Sequence, residues 1–84
     1  MLVASNKSFF GHTMGASGVL EAVASVLALE AGSIPPNLNL DHPDPACRVR
    51  LVGATSAPLR GEYAMKNSFG FGGSNAVLIL RRAE

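Results

Sequence analysis

His12 stands just before a long predicted helix, where an imidazole can act on a developing negative charge. The N-terminus of a helix carries about half a positive charge, which disfavours the protonated form of a nearby imidazole. Lys7, which precedes His12 in the same short stretch, acts in the same direction if it folds close by. A neutral imidazole can donate one N–H group to an oxyanion. The position is therefore compatible with catalysis, although a structural histidine is the commoner outcome.

Glu21 is the only charged residue inside the apolar part of the predicted helix. A buried carboxylate must be paired, hydrogen-bonded or protonated, because its charge is costly to remove from water. Pairing with Lys7 is one interpretation, and exposure of Glu21 at the edge of the helix is the other. Lys7 considered alone is typical of a surface lysine.

The glycines between residues 70 and 73 predict a tight turn rather than a phosphate-binding loop. Asn75 occupies the position of the third glycine in the dinucleotide-binding pattern, and no Gly-Lys-Ser/Thr ending follows. Glycines at positive φ can bring backbone N–H groups close to a ligand. Phe69 and Phe71 would then flank an apolar pocket, although burial of both rings in a core is the commoner outcome.

The loop from Asp41 to Cys47 holds four potential metal ligands, but its prolines spread them along an extended chain. We therefore expect no metal site there. Cys47 follows no predicted helix start and has only Arg48 as a cationic neighbour. Since reactive thiolates need an electropositive setting, we expect a plain loop cysteine and not a nucleophile.

The composition indicates one small, largely apolar unit. Of the 84 residues, 48% are hydrophobic and 15% are charged, the net charge is +1 and there is one cysteine. These values argue against a disordered tail, a strongly basic nucleic-acid binder and a disulfide framework. A domain of this size buries only about 60–65% of its unfolded surface, so we expect a piece of a larger protein.

The N-terminus does not fit a signal peptide, and the apolar run 19–29 is shorter than a membrane span, so a cytoplasmic setting is expected.

Residues 13–31 are predicted to form an α-helix, with Thr13 or Ser17 as its N-terminal cap and Gly32 as its stop signal. Apolar or small residues occupy almost every position from Met14 to Leu29. A helix that is apolar all round is normally buried on every side, and a chain this short can hardly cover it. A surface helix with a wide apolar face is the alternative.

Short strands are predicted at residues 2–5 and 48–52, and longer ones at 63–69 and 76–80. The last of these is a continuous apolar run, which is typical of a strand buried on both faces. The glycine-rich connection before it favours an antiparallel pair. The proline-rich residues 34–47 are predicted to form an extended loop.

Three separated motifs resemble those of β-ketoacyl-[acyl-carrier-protein] synthases, in the same order and nearly end to end. They are the lysine–histidine segment, the proline loop and the C-terminal glycine signature of that family, at residues 7–22, 35–45 and 67–75. The proline loop is most similar to that of the type II elongating enzymes. The resemblance implies an α/β chain that is the C-terminal part of a thiolase-like fold, with a buried central helix followed by two antiparallel strands of a mixed sheet. Residues 1–84 would then be an incomplete C-terminal domain.

The same resemblance implies roles for individual residues. His12 would hydrogen-bond the malonyl thioester carbonyl and stabilise the enolate that forms on decarboxylation. Lys7 would organise the charge network around that histidine, with Glu21 as a further member. The family's oxyanion hole and acyl gate correspond to Phe69, Gly70 and Phe71.

The implied reaction is the decarboxylative Claisen condensation of an acyl thioester with malonyl-[acyl-carrier-protein] in fatty acid biosynthesis. The resemblance implies a cytoplasmic, homodimeric acyltransferase without a cofactor. It implies acyl carrier protein with acyl or malonyl phosphopantetheine as the partner, and neither nucleic acid nor a membrane span. The family's nucleophilic cysteine and first histidine have no counterpart here, and Cys47 lies in the wrong motif, so we expect the 84 residues alone to be inactive. The alternatives are a polyketide synthase fragment, a non-catalytic subunit like a chain-length factor, and an independent structural protein.

Overall fold

A computed structural model describes residues 1–83 as a mixed α/β arrangement with one long helix. Two short 3-10 turns, Met14–Ala16 and Phe71–Gly73, lie between the main elements. In chain order the helices and strands are β1 (Leu2–Val3), α1 (Lys7–Phe10), α2 (Ser17–Ala31), β2 (Ser33–Ile34), β3 (Arg50–Leu51), β4 (Ala57–Pro58), β5 (Tyr63–Phe69) and β6 (Asn75–Arg81).

Helix α2 begins at Ser17, four residues later than the sequence predicts, and ends at Ala31 as expected. The late start has a local cause, because Met14 has a positive φ of 53°, which a continuous α-helix cannot accommodate. Neither proposed N-terminal cap is used: the N-cap residue is Ala16, which makes no side-chain cap bond. At the other end Gly32 adopts the left-handed conformation and donates its N–H to the carbonyl of Ala28, as a C-terminal glycine commonly does.

Strands β5 and β6 form an antiparallel hairpin, which confirms the predicted pairing. The register runs from Tyr63 opposite Arg81 to Phe69 opposite Asn75. The turn between the strands contains Gly72 and Gly73 at φ values of 81° and 85°. Glycine reaches this region without a steric penalty, so the predicted turn chemistry is also confirmed.

The remaining strands form two shorter pairs. β1 lies parallel to β3, and β2 lies antiparallel to β4. Both predicted short strands therefore exist, but each is only two residues long. Helix α2 packs against the β5–β6 hairpin and β2. The Arg82 side chain fixes the far end of this packing by donating from Nε to the Leu29 carbonyl oxygen at 2.6 Å.

Burial within residues 1–83 is incomplete at both apolar elements, as expected for a chain too short to cover them. Leu29 and Val52 are the buried hydrophobic residues of the described chain, each 2% exposed. Leu27 on α2 and Ile79 on β6 remain 58% and 66% exposed, so neither element is covered on all sides. The reason is that the hairpin covers one side of the helix, and residues 1–83 provide no layer for the other sides.

The helical stretch Met14–Ala31 is longer than the apolar run of residues 19–29. With 18 residues and a mean hydropathy of 1.4, it reaches the length and apolarity of a membrane-crossing helix. The core helix of a soluble protein meets the same two criteria, so they do not decide between a lipid and a protein environment.

Candidate active site

The short helix α1 brings Lys7 against the long helix. The sequence indicates no regular element here, but residues 7–10 form one helical turn. Gly11, at φ 79°, ends it and donates its N–H to the Lys7 carbonyl at 2.7 Å. The Lys7 ammonium group then forms an ion pair with Glu21 Oε2. Of the two interpretations of Glu21, pairing with Lys7 is therefore correct.

Asn37 anchors the chain segment that leads into α1. Its side-chain Oδ1 accepts a hydrogen bond from the Ser5 backbone N–H at 2.8 Å, and its Nδ2 donates to the Val52 carbonyl at 2.7 Å. Ser8 Oγ also accepts from the backbone N–H of Leu38 at 3.1 Å. These bonds tie the proline-rich loop to the lysine-bearing turn, so the two motifs form one structural unit.

Lys66 is the charged member of the site that the sequence analysis missed. Its Nζ lies 3.5 Å from Glu21 Oε1, and its side chain is only 8% exposed. The same ammonium group donates a hydrogen bond to Ser68 Oγ. Because side chains alternate along a strand, Lys66 shares the inward face of β5 with Ala64 and Ser68. That alternation beside small residues is the sequence signal that could have identified it.

Gly18 lies beside this buried lysine. A Cβ atom placed on Gly18 would lie 3.9 Å from Lys66 Nζ, in ordinary van der Waals contact. The first turn of α2 therefore approaches β5 closely beside the lysine. Lys66 and Ser68 also line one end of an open, mainly apolar groove of about 600 Å³ between α2 and the hairpin.

The two lysines keep Glu21 ionised. Burial of Glu21 by itself raises the pKa of its carboxyl group, but the hydrogen bond and charge of Lys7, followed by the charge of Lys66, together lower this pKa by more than burial raises it. The net result is a pKa below the usual 4.5. The cluster therefore holds two positive charges around one negative charge.

His12 is oriented by its Nδ1 atom. Nδ1 accepts a hydrogen bond from the Met14 backbone N–H at 3.3 Å and lies 2.9 Å from Ser17 Oγ. Ser17 Oγ accepts the Thr13 N–H at 2.9 Å, so its own hydrogen is available to Nδ1. A backbone N–H can only donate, so Nδ1 is the acceptor and the proton of the neutral ring is assigned to Nε2.

His12 and the charged cluster share one side of α2. Ser17 and Glu21, one helical turn apart, point to the same face, and these residues are 6% and 9% exposed. The structure thus brings Lys7 and Glu21 into direct contact and links His12 to the same helical turn through Ser17. A hydrogen-bond donor at Nε2 is suited to stabilising a developing oxyanion.

The hairpin turn carries the other predicted site residues. Phe69 and Phe71 are 76% and 98% exposed, so neither ring lies in a core formed by residues 1–83. Their exposure follows from their place at the turn of the hairpin. The Gly70 N–H donates to the Ser74 carbonyl at 2.6 Å, which closes the turn and occupies that donor.

The proline-rich loop shows no ligand cluster in the part of the chain that the structure describes. Between residues 1 and 83, no group of three or more histidine, cysteine, aspartate or glutamate side chains is placed to hold a metal ion. Cys47 is exposed. Asp44 accepts the Ala46 backbone N–H at 2.9 Å through Oδ1, so this acidic side chain serves the local turn.

Comparison with known proteins defines the class of this arrangement. The family model described as "Beta-ketoacyl synthase, C-terminal domain" matches residues 1–41. A crystal structure of a β-ketoacyl synthase from Burkholderia phymatum superposes with a TM-score of 0.95 at 40% identity, over 100% of this chain and 21% of that chain. The chain therefore belongs to the β-ketoacyl synthase family, and its fold is part of a thiolase-like fold, as the resemblance implied.

Two relatives of the chain within that family share one name. The 3-oxoacyl-[acyl-carrier-protein] synthase 2 of Synechocystis is 45% identical over 82 residues, and that of Vibrio cholerae is 46% identical over 83 residues. Each match covers 98% of this chain and 20% of the relative. The chain thus spans about a fifth of the length of the curated relatives it matches.

Proposed function

We propose that these residues form the C-terminal segment of a 3-oxoacyl-[acyl-carrier-protein] synthase of fatty acid biosynthesis. The observation that carries the proposal is the orientation of His12, whose Nδ1 accepts the Met14 N–H and leaves Nε2–H as a donor. The names of the relatives supply the substrate class, an acyl group on acyl carrier protein. The remaining four fifths of such a protein would contribute the nucleophilic cysteine and the first histidine.

His12 acts in this proposal on the malonyl thioester. As carbon dioxide leaves, the electron pair of the breaking C–C bond moves into the thioester and forms an enolate, whose oxygen accepts the Nε2–H hydrogen bond. The enolate carbon then attacks the acyl thioester on the cysteine, and the cysteine thiolate leaves. Loss of one donor of this kind typically lowers the rate by about 10²–10³-fold.

The other predicted residues position the reaction. Lys7 and Glu21 hold the helical turn that carries the partner of His12, as their ion pair allows. Phe69 acts as the acyl gate, and its backbone N–H contributes to the oxyanion hole for the acyl thioester. Gly70 and Phe71 complete that gate as the turn that lets Phe69 move.

We further propose the setting in which the complete protein works. It would be a cytoplasmic homodimer that receives acyl and malonyl groups from acyl carrier protein and needs no cofactor. In that protein the exposed faces of α2 and β6 would be covered by further protein layers and not by lipid. The charged cluster on the inward face of the α2–hairpin packing supports a protein environment, because it is hydrogen-bonded and paired on site.

The test is a hybrid synthase in which residues 1–84 replace the matching segment of the Vibrio cholerae relative. Condensation and decarboxylation of malonyl-[acyl-carrier-protein] are measured for the hybrid and for its His12→Ala variant. We expect His12→Ala to lose both activities by about 10²–10³-fold. His42→Ala is the matched control, because His42 lies exposed in the proline-rich loop. Full activity of the His12→Ala hybrid would overturn the proposed function.

A further inference from the structure

We propose that Lys66 is a positioning residue of this site: its buried ammonium group holds the second oxygen of Glu21 and ties the carboxylate to the strand that ends at Phe69. The inference rests on the proposed function above and adds a residue to it. Lys66 lies outside the lysine–histidine segment, on a different element from Lys7, and pairs with the other carboxylate oxygen of Glu21.

The burial of Lys66 requires a partner of this kind. Its side chain is 8% exposed, whereas that of Lys7 is 41% exposed. An isolated buried ammonium group is costly because it loses its hydration. Glu21 Oε1 at 3.5 Å and Ser68 Oγ supply the compensating contacts, so Lys66 is a paired member of the site and not a misplaced surface residue.

Each of the two lysines contacts a different oxygen of the Glu21 carboxylate. Lys7 bonds Oε2 from α1, and Lys66 faces Oε1 from β5. A carboxylate held at both oxygens cannot rotate freely, so the Lys7–Glu21 pair keeps one geometry only while Lys66 is present. Without Lys66, Glu21 could turn its free oxygen toward solvent and carry Lys7 with it.

Lys66 also connects the strand that ends at Phe69 with the helical turn that holds the partner of His12. Ser68, which accepts its hydrogen bond, directly precedes Phe69 in β5. Glu21 lies one helical turn from Ser17, whose hydroxyl lies 2.9 Å from His12 Nδ1. A change at Lys66 is therefore transmitted toward the histidine through α2 and toward the gate through β5.

The pH dependence of the reaction reports this role. Within residues 1–83, the charged groups that the structure places against the Glu21 carboxylate are Lys7 from α1 and Lys66 from β5. Removing Lys66 leaves the half-exposed Lys7 alone to oppose the effect of burial, so the pKa of Glu21 rises. Protonation of Glu21 then begins at higher pH, and the acid limb of the activity profile moves upward with it.

The experiment uses the hybrid synthase with Lys66→Met, Lys66→Arg and the control Arg82→Met. For Lys66→Met we expect the acid limb of kcat to rise by about 1 pH unit. We also expect kcat to fall on the order of 10-fold or more, because the site is misaligned, with KM for malonyl-[acyl-carrier-protein] changed by less than about 2-fold. Lys66→Arg should restore the acid limb, since it keeps the charge. Arg82→Met removes a cation from the same helix–hairpin packing, at Leu29, and should leave the limb in place.

An unchanged acid limb and kcat in Lys66→Met overturn the inference, as does a limb shift of equal size in Arg82→Met. If Lys66→Met does not fold, Lys66→Gln takes its place with the same expected shift, because glutamine keeps a donor for Ser68 but carries no charge. Failure of the proposed function is seen separately, as full activity of the His12→Ala hybrid. A hybrid that needs His12 but ignores Lys66 refutes the positioning role alone.

Discussion

Replacing Glu21 with glutamine removes the one negative charge between two lysines and should destabilise the fold more than any single change at its partners. The shape of the side chain is retained, so the effect isolates the charge. Lys66, 8% exposed, would be left as a buried ammonium group without a counter-ion. Lys7, at 41% exposed, can instead turn to water.

The contacts set the size of the effect. A unit charge pair at 3.5 Å corresponds to about 5 kcal/mol of direct attraction at an effective dielectric constant of about 20. Removing one partner of a buried pair typically costs about 3–5 kcal/mol, and the partial exposure of the cluster favours the lower end. We therefore expect Glu21→Gln to lower the free energy of unfolding by about 3 kcal/mol. Lys7→Met should cost only about 0–1 kcal/mol, because an exposed ion pair contributes little.

The assay is urea unfolding of the hybrid synthase and its variants, followed by circular dichroism at neutral pH. Glu30→Gln is the matched control, because Glu30 is an exposed glutamate on the same helix, and it should stay within about 0.5 kcal/mol of the parent. Equal losses in Glu21→Gln and Glu30→Gln would refute the reasoning. So would a loss in Lys7→Met as large as that in Glu21→Gln, since it would mean that Lys66 contributes nothing.

Three further outcomes follow from the same contacts. Folding lowers the pKa of Glu21 from 4.5. The ionised carboxylate therefore stabilises the fold above its unfolded pKa, and this stabilisation is lost as pH falls through the folded pKa. The urea midpoint of the hybrid should accordingly approach that of its Glu21→Gln variant as pH is lowered from 6 to 3. Ser17→Ala removes the hydroxyl that contacts both His12 Nδ1 and the Thr13 N–H. The change should lower the free energy of unfolding by about 1–3 kcal/mol, and steady-state kinetics should show a lower kcat with KM little changed. Unchanged stability and kcat would contradict this. The isolated 84 residues should show no condensation activity. They should also self-associate in light scattering, because apolar residues such as Val19 and Ile79 are 69% and 66% exposed. A monomer that does not bind a hydrophobic dye would contradict the second expectation.

The elements that depend on local chemistry could be predicted from the sequence. Strand β5 has the predicted bounds because its residues lie between two glycine-containing turns, and β6 differs by one residue at each end. Helix α2 starts four residues later than the sequence predicts, because Met14 has a positive φ and its N–H is bonded to His12 Nδ1 at this turn. A non-glycine residue in that conformation gives no signal in the sequence.

The charged site could be predicted only in part, for a reason of distance along the chain. Lys7 and Glu21 are 14 residues apart, and the pair was recognised as one of two possibilities. Lys66 lies far from both in the sequence and comes close only because the hairpin packs across the first turns of α2. Propensity and periodicity describe each element separately, so they do not show which face of β5 meets which turn of the helix.

The polar and apolar parts of the chain differ in how far they depend on other residues. Among the described residues, no buried side-chain nitrogen or oxygen lacks a hydrogen-bond partner, and the Lys7–Glu21–Lys66 cluster is paired within the chain. The large apolar side chains of α2 and β6, in contrast, are mostly more than a third exposed. Hydrogen bonds and ion pairs depend on direction, whereas apolar cover depends mainly on area removed from water. The chain thus holds its own positioning network in place, whereas residues 1–83 do not supply the cover for its apolar faces.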